Sequence, residues 1–166
     1  MGLSKLPRKK LIALLDAYAR QALSVDGYWF MGVEDKYGYE ATFEIDHKAW
    51  EKLSAIEGHR VAEALGIKKG NASEILDCLE VSPFSLSLGP KIEKISENKG
   101  IFYLHDCRIQ KNRIKMGRTE FACKPVGLTW VTNFATAINP QAKVSCVFCP
   151  PDAHPDDVWC QWEIET

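Results

Sequence analysis

The chain has 166 residues, of which 46% are hydrophobic and 26% charged, and it contains 5 Trp, 7 Phe and 5 Tyr. This composition excludes intrinsic disorder, collagen and coiled coil. The 21 basic and 22 acidic side chains leave a formal net charge of −1, which gives no field that would attract a polyanion. We therefore expect no nucleic-acid partner.

The length fits one domain spanning residues 1–166, with a mainly helical part at 1–82 and a mixed α+β part at 83–166. The longest uncharged stretch, residues 125–142, is half Pro, Gly, Thr, Asn or Gln and cannot span a membrane. The basic amino terminus resembles a secretion signal only until Asp16 and Arg20 interrupt the apolar run. We expect a cytoplasmic protein without a membrane partner.

Apolar residues at helical spacing predict helices in the first half of the chain. The first helix is expected to end at residues 24–27, and an aromatic-rich segment at 28–37 is closed by Gly38. A longer helical pattern, in one or two pieces, reaches a carboxy-terminal cap at Gly66. The stripe that defines the first helix consists of Leu11, Leu15, Tyr18 and Ala22.

Short apolar runs replace the helical pattern in the second half of the chain. A short helix capped by Asn71 or Ser73 and ending near Val81 precedes them. The sequence then predicts, in order, a hairpin of strands at 92–96 and 101–107, helices at 108–116 and 125–138, and strands at 144–148 and 158–164.

Five of the six cysteines lie in the last 60 residues. Cys146 and Cys149 form a C-x-x-C pair, a spacing that can direct two thiolates to one ion. Cys160 supplies a third sulfur from the returning strand, where alternation places it on one face with Trp162. Cys123, just before a helix, is the expected fourth ligand.

Four sulfur ligands fit a closed, structural zinc site, and an iron–sulfur cluster would use the same ligands. Cys107 or His154 could replace Cys123. Alternatively, all the cysteines are buried, reduced core residues. A catalytic Cys107 paired with His105 or His154 has no third orienting group in the sequence, so the catalytic residues stay unknown and enzymatic activity stays open.

Two sequence signatures resemble those of a family of uncharacterised prokaryotic cytosolic proteins. The amino-terminal signature is DGYWF at residues 26–30, followed by Val33 and Glu34. The carboxy-terminal signature combines CKPVG at residues 123–127 with CPPDAHPDDVWCQWE at residues 149–163. No reaction is assigned to that family, so this resemblance implies kinship and not function.

The closing part also resembles, more distantly, the 4-vinyl-reductase-type small-molecule-binding domains. These include the sensor domains of phenol-responsive transcription activators and, loosely, relatives of aminothiazoline-carboxylate hydrolase. Those sensor domains usually have glutamate where Cys146 stands and glycine where Pro150 and Pro151 stand. The corresponding ligand positions here would be Cys123, Cys146, Cys149 and Cys160.

This second resemblance implies an α+β fold, with amino-terminal helices packed on an antiparallel sheet and a carboxy-terminal hairpin that carries a metal site. It also implies a buried apolar pocket between the helices and the sheet. Glu34 either faces solvent beside Asp35, which is the expectation, or is a buried polar anchor. The aromatic residues that could line the pocket are Trp29, Phe30, Trp50, Phe102, Trp130 and Phe134.

The leading hypothesis is a zinc-stabilised domain that binds or senses a small hydrophobic or aromatic molecule. The alternatives are a hydrolase or reductase that uses a metal or a reactive cysteine, and an iron–sulfur protein that handles electrons. The sequence leaves open whether the chain forms a homodimer.

Overall fold

The computed structural model describes residues 2–166, which form six α-helices and one four-stranded antiparallel sheet. The predicted α+β class, with helices first and strands last, is confirmed. The helices are α1 (Arg8–Tyr37), α2 (Tyr39–Leu65), α3 (Ala72–Glu80), α4 (Pro83–Leu88), α5 (Arg108–Lys115) and α6 (Lys124–Ile138). The strands are β1 (Lys91–Ser96), β2 (Lys99–Leu104), β3 (Lys143–Phe148) and β4 (Cys160–Glu165), in the order β1-β2-β4-β3.

Helix α1 is longer than the sequence predicts, because it continues through residues 24–27 to Tyr37. A glycine inside a helix costs only about 1 kcal/mol. Leu23 and Phe30, on either side of Gly27, both pack against apolar clusters, and this packing outweighs that cost. The break comes at Gly38, whose φ of 84° suits a residue without Cβ, as predicted.

The predicted caps of the next two helices are present. Gly66 ends α2 in the left-handed conformation. Asn71 begins α3 with a capping box, in which its side chain accepts from the Glu74 amide and the Glu74 carboxylate accepts from the Asn71 amide. The short helix α4, which begins at Pro83, was missed by the periodicity argument because six residues are too few to show a period.

Strand β4 occupies the interior of the sheet and pairs with both β2 and β3. Its inward side chains are Cys160, Trp162 and Ile164, all buried, as the predicted alternation requires. Trp162 lies opposite Phe102 of β2, so two large aromatic rings share the inner face of the sheet.

Helices α3 and α6 pack on the sheet, and α2 lies against α6. The contact between α2 and α6 is close at Gly58, where a Cβ atom would lie 2.6 Å from the carbonyl oxygen of Phe134. Within residues 2–166, no helix is both long and apolar enough to cross a membrane.

Candidate functional site

Three cysteine side chains meet where the start of α6 approaches the carboxy-terminal strands. The Sγ atoms of Cys123 and Cys149 lie 3.3 Å apart, and the Cys149 thiol also contacts that of Cys160. The Lys124 amide, next to Cys123, donates to the carbonyl of Pro150 over 2.8 Å. This backbone bond holds the amino end of α6 against the loop that follows Cys149.

The contacts among these thiols change their affinity for protons. Hydrogen bonding to Cys123 and Cys160 raises the pKa of Cys149, whereas the hydrogen bond donated by Cys149 lowers the pKa of Cys160. Cys146 lies on β3, opposite Trp162, and burial raises its pKa to about 11. It interacts with Cys160 and Cys123 electrostatically.

The cysteine thiols are ligands that a thiophilic metal ion prefers, but their spacing in the structure differs from that of a tetrahedral site. Two sulfurs bound at about 2.3 Å to one tetrahedral zinc ion lie about 3.8 Å apart, and the Cys123–Cys149 spacing of 3.3 Å is slightly shorter. Within residues 2–166, no group of three or more His, Cys, Asp or Glu side chains stands in a preformed metal-binding arrangement. A tetrahedral site would therefore require side-chain adjustment.

The two predicted substitute ligands lie in different environments. Cys107 is buried, precedes α5, and interacts electrostatically with Cys123 and Cys160. Burial raises its pKa to about 12, so the thiol stays protonated near neutral pH and is a weak nucleophile. The centroid of the His154 ring lies 4.9 Å from that of Trp159 with the rings tilted by 39°, and Nδ1 of His154 donates to the carbonyl of Pro155 over 2.9 Å.

A cavity of about 400 Å³ lies beside the thiols, between the helices and the inner face of the sheet. Its volume falls within the range of about 300–1,000 Å³ that is usual for small-molecule sites. The three cysteines that meet form part of its wall, and so does Cys107. The aromatic residues that line it include Phe30, Trp50, Phe84, Phe102, Phe121 and Trp130.

Four of the six aromatic residues expected in the pocket therefore line this cavity, and two do not. Trp29 is 72% exposed on the opposite face of α1, because the helix does not end at Gly27 and its rotation carries Trp29 away from the core. Phe134 is completely buried in the packing of α6 against α2, outside the cavity wall.

Glu34 does not face solvent, so that expectation is wrong. Its side chain is only 13% exposed, and both of its carboxylate oxygens accept from the guanidinium of Arg113 at 2.9 and 3.0 Å. The hydrogen bonds from Arg113 hold the pKa of Glu34 below its usual range. Glu34 acts as an anchor for Arg113, which itself lines the cavity beside Phe30 and Phe121.

The chain matches the model of a family of unknown function (DUF6125) over residues 4–166. It belongs to this family. The predicted membership of an uncharacterised family is confirmed, and the resemblance to 4-vinyl-reductase-type and aminothiazoline-carboxylate hydrolase domains stays a prediction. No curated protein and no solved structure matches the chain.

In this DUF6125 chain, two carboxyl groups of the cavity wall were missed by the sequence argument. Asp26 of α1 and Asp46 of α2 both line the cavity. Burial raises the pKa of Asp26 to about 6, and burial together with the charge of Asp26 raises that of Asp46 to about 7. Helical spacing could have predicted both positions. Asp26 lies four residues before Phe30 and Asp46 four residues before Trp50, so each aspartate shares a helix face with a buried or half-buried aromatic residue.

The side chain of Gln110 joins the cavity wall to the thiols. Its amide group donates to the carbonyl of Phe121 and accepts from the Phe121 amide, both over 2.8 Å. Its Nε2 also lies 3.5 Å from the Sγ of Cys123. No sequence pattern indicates this role, since Gln110 lies in a helix that reads as polar.

Proposed function

We propose that this chain binds a small hydrophobic or aromatic molecule in the cavity between its helices and its sheet, as a binding or sensor domain. The observation that carries the proposal is the cavity itself, since a space of about 400 Å³ with walls rich in aromatic side chains is the usual form of a small-molecule site. Aromatic rings from α1, α2, α6 and β2 surround it.

Asp26 and Asp46 favour a ligand with a hydrogen-bond donor or a positive charge. Arg20, Arg108 and Arg113 also line the cavity. Two of these cations already have acidic partners, since Arg20 pairs with Asp16 and Arg113 with Glu34. Arg108 is exposed to solvent, whereas Asp26 and Asp46 are half-buried. A ligand in the cavity would therefore meet the two aspartates, and an anionic ligand would face their charge above about pH 7.

We propose further that zinc binds at the thiols beside the cavity. The contacts among Cys123, Cys149 and Cys160 support this, with Cys146 or Cys107 as the fourth ligand. Bound there with four protein ligands, the ion would have a structural role and would join the start of α6 to the last two strands. An iron–sulfur cluster is the alternative occupant.

Ligand binding can be tested with N-phenyl-1-naphthylamine, a neutral aromatic fluorophore that carries one N–H donor. We expect saturable binding to one site per chain, with increased emission. Gly27→Phe should weaken binding by at least about tenfold. Gly27 lines the cavity and a Cβ there meets no atom within 4 Å, so a Phe side chain at this position can occupy the space of the ligand. Gly27→Ala is the matched control and should bind normally.

Related measurements distinguish neutral from anionic ligands, and a binding protein from an enzyme. The sulfonated analogue 1-anilinonaphthalene-8-sulfonate should bind better at pH 5 than at pH 8, because the two aspartates are neutral at pH 5. Binding that is unspecific, or that Gly27→Phe leaves unchanged, contradicts the proposal. Rapid, selective alkylation of Cys107 would favour the thiol enzyme instead.

The metal is tested by elemental analysis and visible absorption of protein purified without oxygen or added metals. We expect about one zinc per chain and no visible absorbance. Cys149→Ala should lose the zinc, whereas Cys78→Ala, which removes a buried thiol of α3, should keep it. Iron with sulfide would support the cluster, and a metal-free wild type would contradict both.

A further inference from the structure

Helix α1 exposes a continuous apolar stripe on the side that faces away from the core. The buried face of this helix is marked by Ala19, with Leu23 and Phe30 packed on the apolar clusters. On the other side, Tyr18 is 60% and Trp29 72% exposed. The stripe consists of Leu11, Leu15, Tyr18, Ala22, Val25 and Trp29, and we call it the α1 seam.

The residues of the α1 seam follow one another at intervals of four and three along the whole stripe. This is the heptad spacing by which one helix packs against another. Leu11 is half-buried, and the other five seam residues are exposed instead of packed on the core. The flanking positions on one side of the seam are also uncharged, namely Leu14, Gln21 and Tyr28. Covering the seam on this side therefore desolvates no charged side chain. The other flank consists of Ile12, Ala19 and Asp26, and Asp26 is already half-buried in the cavity wall.

The side-chain sizes along the seam complement one another when a second α1 lies antiparallel to the first. With a twofold axis near Arg20, Leu11 faces Trp29 of the second copy and Leu15 faces Val25. Tyr18 then faces Ala22, so each large residue meets a smaller one. In the flank, Leu14 faces Tyr28. A parallel pair would instead set Trp29 against Trp29 and Ala22 against Ala22, and would bring the two basic amino ends of α1 together.

The α1 seam together with its uncharged flank offers enough area for a stable dimer. Large aromatic side chains offer about 150–250 Å² each, and Tyr18, Tyr28 and Trp29 are all at least 60% exposed. With the smaller seam residues, the face offers on the order of 800 Å² per chain, which matches the area per partner in a standard interface.

We propose that a second copy of this chain covers the α1 seam, so that the protein is a twofold-symmetric dimer held by an antiparallel pair of α1 helices. The self-complementary order of large and small residues about one point favours a second copy over an unrelated partner helix. None of the six seam residues lines the cavity, although Tyr28 of the flank does, and the proposed dimer does not depend on the proposed ligand.

The first test measures mass in solution by sedimentation equilibrium. The wild-type protein should have twice the chain mass of 18.7 kDa at about 20 µM. Val25→Glu should raise the dissociation constant at least about a hundredfold, because two carboxylates enter the interface, with unchanged helical circular dichroism. The control Ile95→Glu makes the same kind of change at a site 53% exposed on β1 and should leave the dimer intact.

The second test is a cross-link that depends on orientation. The double variant Leu15→Cys with Val25→Cys should form a disulfide between two chains under mild oxidation, whereas each single variant and the wild type should not. A dimer in which Leu15→Cys alone cross-links is parallel and overturns the proposal. A wild type that is monomeric at about 100 µM, well above typical micromolar dissociation constants, also overturns it, as does a dimer that Val25→Glu leaves unchanged.

Discussion

Glu57 is a carboxyl group enclosed in the packing between α2 and α6. Its Oε2 accepts from the indole Nε1 of Trp130 over 3.0 Å, and within residues 2–166 its Oε1 has no hydrogen-bond partner. Burial raises the pKa of Glu57 from 4.5 to about 7. The folded protein therefore favours the neutral acid, while the unfolded chain ionises freely.

This group makes stability fall as the pH rises. Below pH 4.5 both states hold the proton, and between 4.5 and about 7 the unfolded state loses it first, which lowers the free energy of unfolding. Glu57→Gln should remove this loss and exceed the wild type by on the order of 2 kcal/mol at pH 8, with little difference at pH 4.5. Urea denaturation across this range measures the difference.

The control for this prediction is Glu51→Gln, an exposed glutamate of the same helix. Its stability relative to the wild type should vary little with pH. A Glu57→Gln profile that runs parallel to the wild-type profile would show that the carboxyl is ionised in the folded protein.

At the scale of the elements, an ion pair joins α5 to α1. Arg113 of α5 is nearly buried, donates two hydrogen bonds to Glu34, and also donates from Nε to the carbonyl of Thr119 over 3.1 Å. The guanidinium lies about as far from Phe30 as from Tyr39, at 5.5 and 5.7 Å from the ring centroids. The position of α5, and of the cavity wall it forms, therefore depends on a charge from α1.

Glu34→Gln should lower the free energy of unfolding by about 3 kcal/mol, because it leaves a buried guanidinium without its counter-ion. Asp35→Asn is the matched control, since Asp35 pairs with Arg118 at 2.6 Å but is 66% exposed. It should cost less than about 1 kcal/mol. Equal effects in urea denaturation would show that solvent screens the Glu34 pair as well.

At the scale of the whole molecule, the thiol group brings together parts of the chain that are distant in sequence. Cys123 immediately precedes α6, Cys149 follows β3, and Cys160 begins β4. An ion bound by all three would bind the folded chain and not the unfolded one, so it would stabilise the fold by mass action.

Removal of the proposed zinc with a chelator should therefore lower the melting temperature on the order of 10 °C, because several kcal/mol of binding free energy are lost. Differential scanning calorimetry measures the shift. Added zinc should restore the original melting temperature, while added magnesium, which prefers oxygen ligands, should not. A melting temperature that the chelator leaves unchanged would argue that the thiols are metal-free core residues.

Local chemistry in the sequence was enough to place most of the elements. Gly38, Gly66 and Asn71 set helix ends through their own backbone preferences, and the alternation along β4 set which of its residues are buried. These features depend on residues a few positions apart, so the sequence alone determines them. Gly27 shows the limit, because packing on both sides of it overrode its weak tendency to end a helix.

The tertiary structure alone decided which side chains share a site. Glu34 was expected in solvent because its neighbours in sequence are charged, and its burial depends on Arg113, 79 positions away. Trp29 was expected in a pocket and lies on the exposed seam, because the rotation of a continuous helix carries it there. The amino-acid sequence thus determined the fold class, most of the helices and strands, and the candidate cysteines. The cavity and its carboxyl groups arise only where separate helices meet the sheet, because contacts between distant residues leave no local pattern in the sequence.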